Sequence, residues 1–126
     1  MNKLILKQEV LEAYEGYVKA FIKGDTKEVE NYLSFPNYRF HDGKIIELNE
    51  FHSNLNELKN RGYKDTIALS IDVVEINEEK AHLVLKEALR VKDKNEPLEE
   101  ISSFYIFIKE GNKWKIKFSS AFFFPK

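Results

Sequence analysis

The residues of this chain that could perform acid–base chemistry are few and scattered. Glu87 is the sharpest anomaly, because it interrupts an apolar alternation formed by Leu83, Leu85, Leu89 and Val91. A carboxylate that faces an apolar cavity can serve as an acid or a base near neutral pH. The alternative is a carboxylate at the rim of a pocket, or one paired with a neighbouring lysine or arginine.

His41 is the second catalytic candidate. It stands beside Asp42, and a histidine next to an aspartate can form an acid–base pair. Asp42 has another explanation, because Asp-Gly sequences make tight turns and Gly43 follows it. The alternative for His41 is an exposed histidine of a hairpin.

The candidate ligand-binding residues are one arginine and several tyrosines. Arg90 could clamp a carboxylate-bearing ligand, or form a salt bridge at the surface or a dimer face. Tyrosines suit the lining of a mostly apolar pocket with a few hydrogen bonds, although such rings are also ordinary core residues. The predicted binding residues are Tyr14, Tyr17, Tyr38, Arg90 and Tyr105.

Composition argues against several other classes of function. The net charge is −1 and no basic stripe is visible, so we expect no nucleic-acid partner. The chain has no cysteine, and His41, His52 and His82 lack ligand spacing, so we expect no metal and no cofactor. No signal peptide or membrane-length apolar run is visible, which favours a cytoplasmic protein without a membrane partner.

Helices are predicted for the first part of the chain. An apolar stripe at helical spacing begins at Val10 and runs to Ile22, and Gly24 ends this helix. Asp25 is expected to cap a short second helix that buries Val29, Tyr32 and Leu33 and stops at Pro36.

A hairpin and a third helix follow. Asp42-Gly43 between two short extended runs, Tyr38-Arg39-Phe40-His41 and Lys44-Ile45-Ile46-Glu47, predicts a type I′ turn. Asn49 is expected to cap the third helix, and Gly62 to close it.

Four long strands are predicted between Tyr63 and Phe124, since apolar and polar residues alternate there between short polar turns. Helices followed by a meander indicate one α+β domain over residues 1–126, with three helices on a mostly antiparallel sheet. The strand from Ile101 to Lys109 is apolar on both faces. Helices can cover one face, so we expect a homodimer to cover the other.

This order of elements resembles the nuclear transport factor 2-like superfamily, which includes ketosteroid isomerase and the SnoaL-like cyclases. It is most similar to small bacterial members without an assigned function. The first helix running into Gly24-Asp25 carries the resemblance, together with Phe35-Pro36, Gly62-Tyr63, Arg90, Tyr105 and Gly111-Asn112-Lys113-Trp114-Lys115-Ile116.

The resemblance implies a cone-shaped, cystatin-like α+β roll with a pocket at its open end. The superfamily includes both enzymes and binding proteins, so the fold does not decide the function. At the position of the isomerase's aspartate base this chain has Phe40, with His41 and Asp42 adjacent.

The residues and the resemblance leave two functions open. The first is binding of a small, largely apolar or cyclic molecule in the cone, with or without isomerase, cyclase or dehydratase chemistry. The alternative is a non-catalytic interaction or accessory module with a vestigial pocket.

Overall fold

The computed structural model describes residues 2–126 and contains three helices and six strands. The helices are α1 (Lys3–Lys23), α2 (Thr26–Glu30) and α3 (Leu55–Asn60). The strands are β1 (Leu33–His41), β2 (Lys44–Leu48), β3 (Asp65–Ile76), β4 (Lys80–Val91), β5 (Pro97–Glu110) and β6 (Lys113–Pro125). A 3₁₀ turn at Asp93–Asn95 joins β4 to β5.

Local sequence signals account for the ends of the first two helices. The side chain of Asn2 accepts from the backbone N–H of Ile5, and Gly24 ends α1 with φ +74°. Asp25 caps α2 as predicted, because its carboxylate accepts from the N–H of Glu28 at 3.1 Å. The Asp42-Gly43 turn has positive φ at both residues, which is the type I′ geometry.

Two predicted helix boundaries are wrong. The second helix ends at Glu30, and Leu33 opens β1, which contains Pro36. The third helix begins at Leu55 instead of next to Asn49. Phe51 explains the delay, because its ring is buried and its backbone N–H donates to Glu30 Oε2 at 3.0 Å, which ties the segment to α2.

The six strands form one sheet in the order β2-β1-β6-β5-β4-β3. All neighbours are antiparallel except β1 and β6, which are parallel. Register shifts interrupt the β3–β4, β4–β5 and β5–β6 pairings, and such bulges bend a sheet and increase its twist. The predicted α+β class, with three helices and a curved, mostly antiparallel sheet, is confirmed.

The core lies between α1 and the inner face of the sheet. Val10 and Tyr14 of α1 are buried against strand residues that include Leu83 and Phe107. A smaller cluster of Leu55, Leu58, Tyr63 and Leu98 packs under the end of α1. These two clusters leave the inner face of β1, β6 and β5 partly open beside α1.

Candidate ligand pocket

One row of residues crosses the inner face of the sheet at its open part. In the strand register, Arg39 of β1 lies opposite Ser119 of β6, and Ser119 lies opposite Tyr105 of β5. On the other side Arg39 lies opposite Ile46 of β2. Neighbouring strands are about 4.8 Å apart, so this row brings an arginine, a serine and a tyrosine together from three strands.

A cavity of about 380 Å³ opens over this row. Its volume falls within the usual range for small-molecule sites. Much of the wall is apolar, from α1, the β1–β2 hairpin, the segment before α3 and the end of β6: Phe21, Phe40, Ile46, Leu48, Phe51, Ala121 and Phe123.

Within the described chain, the polar part of the wall contains a guanidinium, two imidazoles, an amide and several hydroxyl groups but no acid. Its members are Tyr17, Arg39, His41, His52, Asn54, Ser103, Tyr105, Ser119 and Ser120. Among the residues that the structure describes, no aspartate or glutamate lines this cavity. Residues 2–126 therefore supply this cavity with no carboxylate that could act as a base.

Arg39 is the distinctive polar residue of the cavity. It is half-buried, and within residues 2–126 its side chain has neither an ion-pair partner nor a hydrogen bond. Its guanidinium carbon lies 5.6 Å from the centre of the Phe51 ring, which positions the cation over an aromatic face. Phe51 in turn packs edge-on against Phe21 at 6.4 Å.

The predicted tyrosines divide between the wall and the core. Tyr17 and Tyr105 line the cavity, while Tyr14 is buried with its ring 5.8 Å from that of Tyr105. Burial raises the pKa of all three hydroxyls above the usual value for tyrosine. Tyr17 and Tyr105 therefore remain protonated at neutral pH and can donate hydrogen bonds into the cavity.

Two histidines lie at the mouth of the cavity. His41 Nε2 is 3.2 Å from Asp42 Oδ2, and His52 Nε2 is 3.6 Å from Glu50 Oε1. Both imidazoles are about two-thirds exposed. Of the two predicted catalytic residues, His41 alone lines the cavity.

Arg90 does not line the cavity but packs against residues that do. A register shift between Leu85 and Ala88 turns the end of β4, so that Arg90 points to the inner side. Its guanidinium carbon lies 5.3–5.9 Å from the ring centres of Phe21, Tyr63 and Phe123.

The partner of Arg90 is Glu99, its cross-strand neighbour on β5. Arg90 Nη1 donates to Glu99 Oε1 at 2.7 Å, and both side chains are almost fully buried. Arg61 Nη2 lies 3.5 Å from the second carboxylate oxygen. Arg90 Nε has no partner among the described residues. Arg90 thus forms a buried ion pair instead of the predicted surface salt bridge or ligand clamp.

Glu87 lies outside the cavity, on the exposed side of β4. Strict alternation would place it on the face of Leu83 and Leu85. However, the bulge makes Lys86 and Glu87 two consecutive exposed residues and returns Ala88 to the core. Of the two alternatives for Glu87, a carboxylate that faces an apolar cavity is wrong for this reason.

Tyr38 also lies apart from the cavity. It neighbours Arg39 and therefore points to the opposite face of β1, where its hydroxyl donates to Glu47 Oε1 at 3.0 Å. The Lys117 ammonium lies 5.5 Å from its ring.

Sequence reasoning missed Arg39 and Phe51 as pocket residues. The sequence did contain a signal for Arg39 as a site residue. Residues 37, 39 and 41 lie two apart, so they share one face of β1, and all three are polar. Phe51 lies in the segment after Asn49 that was predicted to be helical, whereas the helix begins only at Leu55.

Two features often associated with function are missing from the described chain. Residues 2–126 contain no group of three histidine, cysteine or acidic side chains that could hold a metal ion. None of the helices of this part of the chain is long and apolar enough to cross a membrane.

Comparison with known proteins identifies relatives of this architecture. The family model described as NTF2-like protein (DUF6841) matches residues 8–120. No curated protein matches this chain in sequence.

Solved structures share the fold at low sequence identity. A protein of unknown function with a cystatin-like fold from Nostoc punctiforme superimposes with a TM-score of 0.72 at 10% identity, covering 94% of this chain and 91% of its own. An NTF2-like protein of unknown function from Shewanella baltica has a TM-score of 0.63 at 13% identity, covering 100% and 99%. The association domain of C. elegans CaMKII has a TM-score of 0.65 at 13% identity, covering 90% and 92%.

Proposed function

This chain belongs to the NTF2-like protein family (DUF6841), and we propose that its cavity binds a small, largely apolar, cyclic molecule that carries one polar or anionic group. The observation that carries the proposal is the cavity of about 380 Å³ itself, with aromatic rings around a short polar row. Small-molecule sites combine such apolar walls with a few convergent polar groups.

The lining favours binding over carboxylate-based catalysis. No acid of the described chain faces the cavity, and Glu87 lies on the other side of the sheet. The buried tyrosines can orient a ligand as hydrogen-bond donors. The imidazoles that line this cavity, His41 and His52, are both exposed at its mouth.

A screen of small neutral and anionic ring compounds by thermal shift tests the proposal, since a ligand of the native state raises the apparent stability. We expect compounds of one or two rings to raise the melting temperature of the wild type. Ser119→Phe places a ring in the centre of the polar row and should abolish the shifts.

Ser102→Phe is the matched control. It adds the same volume one strand away, at a half-buried residue that does not line the cavity, and should respond to ligands like the wild type. A screen in which no compound stabilises the wild type more than Ser119→Phe would contradict ligand binding.

A second candidate function, self-association, is favoured by the outer face of the sheet. His82, Phe104 and Phe118 form a half-buried row there, with ring centres 5.5 and 6.4 Å apart, and Ile106 extends it. These rings do not belong to the buried core. We propose that a second copy of the chain covers them, as expected for an apolar strip of this kind.

One solved relative, the CaMKII association domain, bears a name that is consistent with this second candidate. Light scattering at micromolar concentration is the test. We expect a mass near twice 14.9 kDa, and Phe118→Glu should halve it. Leu4→Glu, on an exposed residue of α1, is the control and should leave the mass unchanged. A wild-type mass near 14.9 kDa would overturn the dimer.

A further inference from the structure

We propose that the cavity selects a monocarboxylate carried on an aromatic or alicyclic ring, with Arg39 as the residue that binds the carboxylate. This inference rests on the proposed function and adds the chemical class of the ligand.

Arg39 is a cation for which the described part of the chain, residues 2–126, provides no counter-ion. Charged side chains that lose hydration on burial are ordinarily paired, because a nearby opposite charge compensates for the lost hydration. The chain contains three arginines, and the other two, Arg61 and Arg90, both contact Glu99. Within residues 2–126, Arg39 alone of the three lies within 4.0 Å of no carboxylate, and it lies on the wall of the cavity.

Phe51 positions the Arg39 side chain without occupying the N–H donors of the guanidinium. The guanidinium lies over the ring at 5.6 Å, and an aromatic face orients a cation while its N–H groups stay available. The positive charge of Arg39 also acts on Tyr17, which lies deeper in the cavity wall. Arg39 lowers the pKa of the Tyr17 hydroxyl, although burial raises that pKa by more. The positive end of the cavity therefore lies between β1 and α1.

The charges at the mouth match a ligand with a single negative charge. Each of the two histidines that line the mouth has an acid beside it, Asp42 next to His41 and Glu50 next to His52. These two acids add negative charge at the mouth and would repel a dianion such as a phosphate monoester more strongly than a monoanion. Among the described residues, Arg39 remains as one positive charge of the cavity wall without an ion-pair partner.

The strand register supplies the second recognition element. A planar guanidinium fork binds a planar carboxylate through two parallel hydrogen bonds. The hydroxyls of Ser119 and Tyr105 follow Arg39 in the same row and can donate to a carboxylate placed above it. The rest of such a ligand would contact the rings of Phe21 and Phe123, which suit an aromatic or alicyclic body.

The test compares 2-naphthoate with its uncharged isostere 2-naphthamide by isothermal titration calorimetry at constant ionic strength. The wild type should bind the carboxylate more tightly than the amide. Arg39→Met should weaken binding of 2-naphthoate by about 10- to 100-fold, the usual contribution of a charge-assisted contact, and leave the amide nearly unchanged. Arg39→Lys should fall between the two, because a lysine keeps the charge but loses the bidentate fork.

Lys117→Met is the matched control, because it removes one positive charge from the outer side of the sheet, beside Tyr38. It should bind both probes as the wild type does. Equal affinity of the wild type for acid and amide, with no effect of Arg39→Met, would overturn the carboxylate inference and leave the proposed pocket intact. Failure of both probes to bind the wild type would overturn the inference and count against the proposed function as well.

Discussion

Arg39 and Arg90 lie on the same inner face of the sheet, yet the two arginines have opposite surroundings. Both pack on aromatic rings of the cavity wall, Phe51 for Arg39, and Phe21 and Phe123 for Arg90. Arg90 is nearly buried and bonded to Glu99, whereas Arg39 is half-buried and unpaired within the described chain. A buried cation with a buried partner serves the structure, while an accessible cation without one is available to a ligand.

The largest effect expected from this comparison is at Glu99. Glu99→Gln removes the charge that Arg90 requires in a nearly dry environment. Breaking a buried pair from one side destabilises a protein by about 3–5 kcal/mol. Urea denaturation at pH 7 should show a loss of this size.

Glu100→Gln is the control for that measurement. Glu100 is the next residue, half-buried, and its contact with Lys126 at 3.6 Å is at the surface. Such pairs contribute about 0–1 kcal/mol. Similar losses for Glu99→Gln and Glu100→Gln would show that the Arg90 site is not a buried ion pair and would erase the contrast with Arg39.

The second prediction concerns Tyr105, on the same row as Arg39. Burial raises the pKa of its hydroxyl, so above about pH 10 the unfolded chain releases this proton before the folded chain does. The folded state then binds more protons, and stability falls as pH rises. Tyr105→Phe removes this pH dependence. Above about pH 10, the free energy of unfolding of the variant should therefore rise relative to that of the wild type by up to about 1.4 kcal/mol per pH unit.

Urea denaturation of both proteins between about pH 7 and 11.5 measures this difference. The difference in free energy of unfolding between the two proteins should stay constant below the ordinary tyrosine pKa and change only above it. A gap that is flat across the whole range would indicate that the Tyr105 hydroxyl is well hydrated in the folded protein.

The third prediction compares the loss of stability when Arg39 or Arg90 is replaced. Arg39→Met should change the free energy of unfolding by less than about 1 kcal/mol, because the Arg39 side chain makes no ion pair or hydrogen bond with residues 2–126. Arg90→Met, which strands the Glu99 carboxylate beside the longer contact to Arg61, should lose about 3 kcal/mol or more. Chemical denaturation of both variants measures these free energies of unfolding. A large loss of stability in Arg39→Met would mean that this residue supports the fold.

The smallest effect is expected at Glu87, the residue that alternation selected as a catalytic candidate. It is exposed beside a bulge, so Glu87→Gln should alter the free energy of unfolding at pH 7 by less than about 0.5 kcal/mol. It should also leave binding of 2-naphthoate at the wild-type level. A marked change in either quantity would make Glu87 a candidate site residue again.

Much of the architecture could be predicted because its signals are local. Gly24 ends a helix in the left-handed region, Asp25 caps the next helix, and Asp42-Gly43 makes the hairpin turn, and each needs only neighbouring residues. The order of these elements also carried the resemblance to the nuclear transport factor 2-like superfamily, which the family match confirms.

The site was predicted less well, because its residues are brought together by register between distant strands. His41, Tyr17 and Tyr105 were identified from residue type and do line the cavity. Tyr38 was assigned with them, although its position next to Arg39 on β1 sends it to the other face. Whether the predicted residues bind or transform a ligand stays a prediction.

By itself, the sequence determined the number and order of the helices, the long strands, their turns and the α+β class, since periodicity and capping act over a few residues. Tertiary structure alone decided which side chains face the cavity. The bulge at Lys86 and Glu87 shifts β4 by one residue, and a shift of one residue exchanges the two faces of a strand. That single change turned Glu87 out to solvent and Arg90 in to Glu99, and the parallel pairing of β1 with β6 placed Arg39 beside Ser119.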